Sequence, residues 1–175
     1  SFTNNGSISA SATGNYVEVS GVNAEDSIRN FTNSGSILAS ATGNSTIVDG
    51  VYAGFSIGNF TNSGSISASA TSNKRVLACG VITYSIGNFE NKGNIEVYVK
   101  SSSQNPTIYA GALAVLNSSN ATVINDGTMK VVLSLPNNAN MTNVNAAVFY
   151  IYNSNVILSN YGYTWVESNV PGPNL

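Results

Sequence analysis

The sequence predicts an all-β chain, a single-stranded parallel β-helix (β-solenoid) with about 29–35 residues and three short strands in each coil. Three observations carry that prediction. The phrase FTNNGSISASAT at Phe2 returns as FTNSGSILASAT at Phe31 and FTNSGSISASAT at Phe60, a constant spacing of 29 residues, and a fixed period in this range marks stacked repeats. Within the phrase the residues alternate: Phe2, Asn4, Gly6, Ile8, Ala10 and Ala12 on one parity, Thr3, Asn5, Ser7, Ser9, Ser11 and Thr13 on the other. That alternation describes a β-strand with one apolar and one hydroxylated face. Third, the parity survives where the wording drifts, as in FENKGNIEVYV from Phe89, VINDGTMKVVL from Val123 and a looser copy from Leu158.

The copies set the coil starts near residues 2, 31, 60, 89, 123 and 158 of one solenoid over 1–175, with 168–175 as a C-terminal tail or cap. Stacking them predicts inward columns Phe2/Phe31/Phe60/Phe89/Val123/Leu158, Ile8/Ile37/Ile66/Ile95/Met129/Thr164 and Ala10/Ala39/Ala68/Val97/Val131/Val166. Between them runs an asparagine column, Asn4, Asn33, Asn62, Asn91, Asn125 and Asn160, with glycine two residues later in every coil. Amides stacked in register can donate to one rung and accept from the other, so that a buried polar group is satisfied. The glycine marks a bend or a close backbone approach. A second strand is expected around Val17–Val22, Ile47–Ala53, Val76–Ile82, Ile108–Val115 and Ala146–Tyr152, and a third at Ser27-Ile28, Ser56-Ile57 and Ser85-Ile86. Strands this short cannot bury a face alone and require the stack. Leucine-rich repeats share the period but need leucines at fixed offsets, and only eight leucines are present. Later coils replace alanine pairs by Val97/Val99 and Val131/Leu133, which predicts a widening core, and their extra residues, NSSN and LPNNANMTN, read as corner loops.

Composition excludes several functions. Only 8% of residues are charged, while Asn, Ser and Thr number 66 of 175. The six cations are scattered, which argues against nucleic acid as a partner. No apolar run is long enough to be a transmembrane segment, and no signal peptide is visible. The chain opens one residue before a repeat, which reads as a piece of something longer. With one cysteine, Cys79, and no histidine, a thiol nucleophile has no base; Cys79 reads as a small packed residue. No cofactor or metal is expected. The eight acids do not stack on one another, and Lys92 is expected over Asp126 and Glu96 over Lys130 as surface ion pairs. An enzyme is therefore not expected.

Seven Asn-x-Ser/Thr triplets start at Asn5, Asn30, Asn44, Asn59, Asn117, Asn120 and Asn140; chance supplies several, and some are expected to be buried with the ladder. The outward serines Ser7/Ser9/Ser11, Ser36/Ser40 and Ser65/Ser67/Ser69 form a grid that reads as a solvated face, with a water-ordering, ice-binding-like role as a third alternative. Phe55 and Tyr84 share an outward column and are the candidate ligand-facing aromatics, since exposed rings serve as sugar platforms. In the last coil Tyr161, Tyr163 and Trp165 fall on the outer parity; Trp165 is expected to be buried by the tail or by a register slip.

The phrases SIGNFTNSGSI and SIGNFENKGNI resemble the passenger repeats of bacterial autotransporter adhesins and related haemagglutinin-like surface proteins. The resemblance implies a right-handed β-helix, secretion, extracellular display on the cell surface, and adhesion to host or bacterial cell-surface glycans or proteins, or self-association. A phage-tailspike-like glycan-binding or glycan-cleaving β-helix is the alternative; carboxylates in a groove between subunits would favour it.

Overall fold

The computed structural model describes residues 1–170. They form a right-handed β-solenoid of twelve strands in which every pairing is parallel and joins one coil to the next. The register is the one set by the repeats: Phe2 on Phe31, Phe31 on Phe60, Phe60 on Phe89, Phe89 on Val123 and Val123 on Leu158. We number the coils 1 to 6 from those residues.

Each coil has three faces, represented in coil 2 and its neighbour by Ile28–Asn33, Ser36–Thr42 and Ser45–Ala53. The strands Ser36–Asn62 and Ser65–Asn91 run almost unbroken round a coil, because the ladder continues through two of the corners with only small register shifts, between Gly43/Ser45 and Ala53/Ser56. The third corner breaks the ladder at Ser34-Gly35, Ser63-Gly64 and Lys92-Gly93. The repeated phrase is therefore not one strand: Phe-Thr-Asn finishes one face and Ser-Ile-x-Ala begins the next. Glycine is needed there for proximity rather than for a positive φ, which no glycine adopts among the described residues. A Cβ on Gly64 would run into the Gly35 carbonyl of the coil before.

The core is a set of columns of like residues. Phe2, Phe31, Phe60 and Phe89 stack with ring centroids 4.7–5.0 Å apart, which is the rung spacing of a sheet. Beside them the asparagine ladder runs as a chain of amides: Asn4 donates to Asn33, Asn33 to Asn62 and Asn62 to Asn91 at 2.8 Å, Asn91 to Asn125 at 2.7 Å, and Asn125 to Asn160 at 2.8 Å. From Asn33 to Asn125 the members are fully buried, so each missing bond would leave an unsatisfied group in the core. Asn160 is exposed, and its amide turns to the Thr164 hydroxyl at 3.4 Å.

Extra residues of the longer coils lie in loops at 116–120 and in a segment ending in a 3-10 turn at Met141–Asn143, as expected, and three more lie at 102–106, between the pairs Ser72/Ser101 and Arg75/Thr107, where none was expected. Other expectations need correction. Lys92 does not bridge Asp126; from the corner just past the strand Ser65–Asn91 it reaches back to Glu90 at 2.6 Å. Lys130 does bridge Glu96 at 2.6 Å. None of the seven Asn-x-Ser/Thr asparagines is buried, because all lie outside the buried column; Asn59 donates to Asn30 at 2.8 Å in an exposed ladder instead. In coil 6 the register does not slip, Val166 pairing with Val131 and Trp165 with Lys130. Trp165 is 41% exposed and Tyr161 and Tyr163 more so. On one side of Trp165 the Lys130 ammonium lies 5.9 Å from its ring centroid. The start of the tail does not turn back but keeps to the preceding coil: Ser168 pairs with Leu133, the Asn169 side chain bonds the backbone N–H and C=O of Leu135, at 2.7 and 2.8 Å, and Val170 is buried. The rest of the expected cap, 171–175, lies outside the described residues.

Candidate ligand-binding groove

On the second face the chain makes a re-entrant bend. Gly21, Gly50 and Gly80 point into the solenoid, and a Cβ on Gly50 or Gly80 would meet the side chain of Ile66 or Ile95 on the facing wall and a backbone carbonyl of the next coil. Only glycine lets the strand dip this far inward in these coils. The dip leaves a concave channel outside, parallel to the solenoid axis.

The channel floor is the column Ser20/Asp49/Cys79/Gly111/Ala147, and one wall is Glu18/Ile47/Leu77/Tyr109/Asn145. The other wall is Asn23/Tyr52/Ile82/Ala114/Tyr150. Where Leu77, Ile82, Tyr109 and Tyr150 converge over Cys79 and Gly111 the channel deepens into an apolar cavity of about 110 Å³. Gly111 keeps the cavity open, since it adds no side chain to the floor.

Asp49 is the unusual member. By parity it faces outward, yet it is only 4% exposed, and it does not line the cavity. Its Oδ1 and the Thr46 hydroxyl are the two buried side-chain polar atoms without a partner among the described residues. Burial first, then the charge of Glu18 on the neighbouring coil, push the Asp49 carboxyl up to about 7, while the backbone N–H of Cys79 pulls it down. Cys79 is buried as expected. Burial and the adjacent Asp49 push its thiol well above the usual range, so it stays protonated and unreactive.

The lip of the channel carries the sequence-predicted aromatics. Phe55 and Tyr84 are both exposed, at 62% and 47%, and a register shift falls beside them. The same corner continues through Leu116 and Tyr152, each one residue beyond the paired Thr83/Val115/Ile151, and both are exposed. The result is a stripe of four large apolar side chains on successive coils. Asn117 ties it together by donating to the Tyr84 hydroxyl at 2.6 Å. The asparagine column lies inside the solenoid, away from this surface, and its role is structural.

Sequence reasoning found Phe55 and Tyr84 but missed the groove, Asp49, and the continuation to Leu116 and Tyr152. A signal was present: the glycine in GVN, DGV and CGV recurs in the first three coils, beside valine each time, before alanine replaces it at Ala112.

The chain matches no protein-family model, and neither curated proteins nor solved structures include a significant match to it.

Proposed function

We propose that this chain is an adhesive and structural solenoid segment of a secreted bacterial surface protein, exposed outside the cell, with the groove and its aromatic lip as the face that holds host or sister-cell surfaces. The observation that carries the reading is the placement of the apolar surface. In coils 2 to 5 the exposed large hydrophobics Phe55, Tyr84, Tyr109, Leu116, Tyr150 and Tyr152 all flank the groove, and only Leu38 and Ile157 lie elsewhere. A contiguous apolar strip on an otherwise hydroxylated and amidated surface is the signature of an interaction site, and Tyr rings supply contact area at low entropic cost. The like-on-like core supports the scaffold role, since it repeats without requiring a unique closed domain. In this reading the groove binds and does not catalyse.

The test is adhesion. The labelled chain and its Tyr84→Ala/Tyr152→Ala variant are applied to bacterial and epithelial cells and to arrayed glycans. Loss of binding in the variant with an unchanged unfolding midpoint supports the reading; undiminished binding removes the lip from the adhesive face.

A further inference from the structure

The adhesive reading leaves open what the cavity over Cys79 and Gly111 takes. No charged side chain lines it, so a charged group entering it would lose hydration with nothing in return. Tyr109 on one wall and Tyr150 on the other keep part of each ring exposed, at 42% and 45%, and Leu116 belongs both to the cavity and to the aromatic lip. Floor and wall lie close together: a Cβ on Gly111 would stand 3.7 Å from that of Tyr150 and 3.6 Å from the Ala147 carbonyl oxygen. Asn145 supplies the one side-chain amide of the lining. It sits one rung from Tyr109 and is exposed. Asn140 and Asn153, which flank its strand, are engaged with Asn105 and Asn117, whereas no hydrogen bond holds the Asn145 side chain among the described residues.

We propose that this cavity seats the acetamido group of an N-acetylated amino sugar, with the methyl over Gly111, the amide against Asn145 and the sugar ring against Tyr109 and Tyr150. The proposal rests on the groove side being the binding face and names the chemistry which that face takes. Size selects the group. An apolar cavity of about 150 Å³ holds benzene, roughly 25 Å³ for each heavy atom, so one of about 110 Å³ holds about four, the number in an acetamido group. Reach agrees with size. Across a trans amide the methyl carbon and the ring carbon lie about 3.8 Å apart, as consecutive Cα atoms do. That is less than the rung of about 4.8 Å between Gly111 and the coil that carries Asn145 and Tyr150.

Other occupants of this size match the lining less well. A leucine side chain would cover the Asn145 amide without bonding it, and a desolvated amide left without a partner is costly. An acetamido group offers that amide both a donor and an acceptor. A sugar without the acetyl group would press a hydroxyl or a cationic amine against apolar walls that hold no counter-charge. The two tyrosine rings suit the carbon face of a pyranose, being broad, apolar and fixed by only two torsions each. An acetylated lysine carries the same amide without the ring, and the tyrosine contact separates the two.

The experiment titrates the methyl β-glycosides of N-acetylglucosamine and N-acetylgalactosamine into the isotopically labelled chain and follows the backbone amides of Cys79 and Gly111 by NMR. Saturable shifts are expected with at least one of them, and binding at least about tenfold weaker for the matching hexosides that lack the acetamido group. Gly111→Ala puts a methyl where the ligand's methyl would sit, without a clash, and should weaken binding by at least about tenfold. Asn145→Ala, at an exposed position, should weaken it by about three- to tenfold through one lost hydrogen bond. Unfolding midpoints confirm that both variants fold. Four results overturn the proposal: no saturable shift with either sugar, equal binding of the unacetylated hexosides, undiminished affinity in Gly111→Ala, or equal binding of Nε-acetyl-lysine amide, which would make an acetylated protein the partner. Tyr84 and Tyr152 do not line the cavity, so the Tyr84→Ala/Tyr152→Ala variant separates this from the adhesive reading. If it loses cell binding but keeps the sugar titration, both stand. If it adheres as before while the titration succeeds, the sugar site stands and the lip does not; if the titration fails while the variant loses cell binding, the lip stands and the sugar site falls.

Discussion

Replacing Asp49 by asparagine should stabilise the protein, and by an amount that depends on pH. The folded carboxyl titrates near 7 against an ordinary value of 3.8, and each pH unit between the two corresponds to about 1.36 kcal/mol. Between those values the native state holds a proton that the unfolded chain has released. Stability therefore falls as pH rises through the window from about 4 to about 7, by about 4 kcal/mol in total, and levels off above it. Asp49 is nearly sealed from solvent, so little of this is screened. Asparagine keeps the size and cannot ionise. The assay is urea unfolding of both proteins at a series of pH values; taking the difference cancels the other carboxylates. The expected difference is small below about pH 4 and grows in favour of Asp49→Asn until about pH 7. A difference that stays flat across the series would refute the reasoning, because it would mean that Asp49 ionises in the fold as it does in water.

Asn62→Leu should destabilise by about 1–3 kcal/mol in the same unfolding assay, since it leaves the Asn91 oxygen and one Asn33 donor bond without their partner in a fully buried column. Gly80→Ala should cost a similar amount, about 1–3 kcal/mol, because its methyl collides with Ile95 and the Ala112 carbonyl. Gly111→Ala, whose methyl meets nothing nearer than 3.6 Å, should stay within about 0.5 kcal/mol of wild type in the same assay. Tryptophan emission should report a ring reachable by a soluble quencher but less so than free indole, since Lys130 covers one side of Trp165; Lys130→Ala should raise the quenching.

Which features the sequence made legible depended on whether the repeat spacing was constant. Phe31, Asn33, Ile37 and Ala39 could be placed because each has a twin 29 residues on, and a column of twins fixes both register and facing. Phe55 and Tyr84 obey the same spacing. Leu116 and Tyr152 belong to the same stripe but follow at offsets of 32 and 36 residues, because the loop insertions fall partly before and partly after this corner; counting by 29 walks past them. The groove was hidden for a different reason. Asp49 and Cys79 stand at outward positions of the second strand, and ordinarily out means wet. Here the inward dip at Gly50 and Gly80 makes an outward position a buried one, and that curvature is a property of three adjacent coils rather than of any residue's own pattern. Trp165 shows the reverse case: parity placed it correctly, and the drive to bury a large ring was the weaker guide.

The ladder bonds of this protein run along the solenoid axis, so that coils are joined face to face, while the covalent chain passes from one coil to the next only at a corner. A pull delivered through the chain ends loads that corner first. Bonds then part in sequence round a coil, and each coil let go releases 29 residues in the regular part of the stack, roughly 100 Å of extended chain, in exchange for a rung of about 4.8 Å. A stalk built this way lengthens about twentyfold at the point of failure while the remaining coils keep their register. Under shear between two surfaces it would yield in steps.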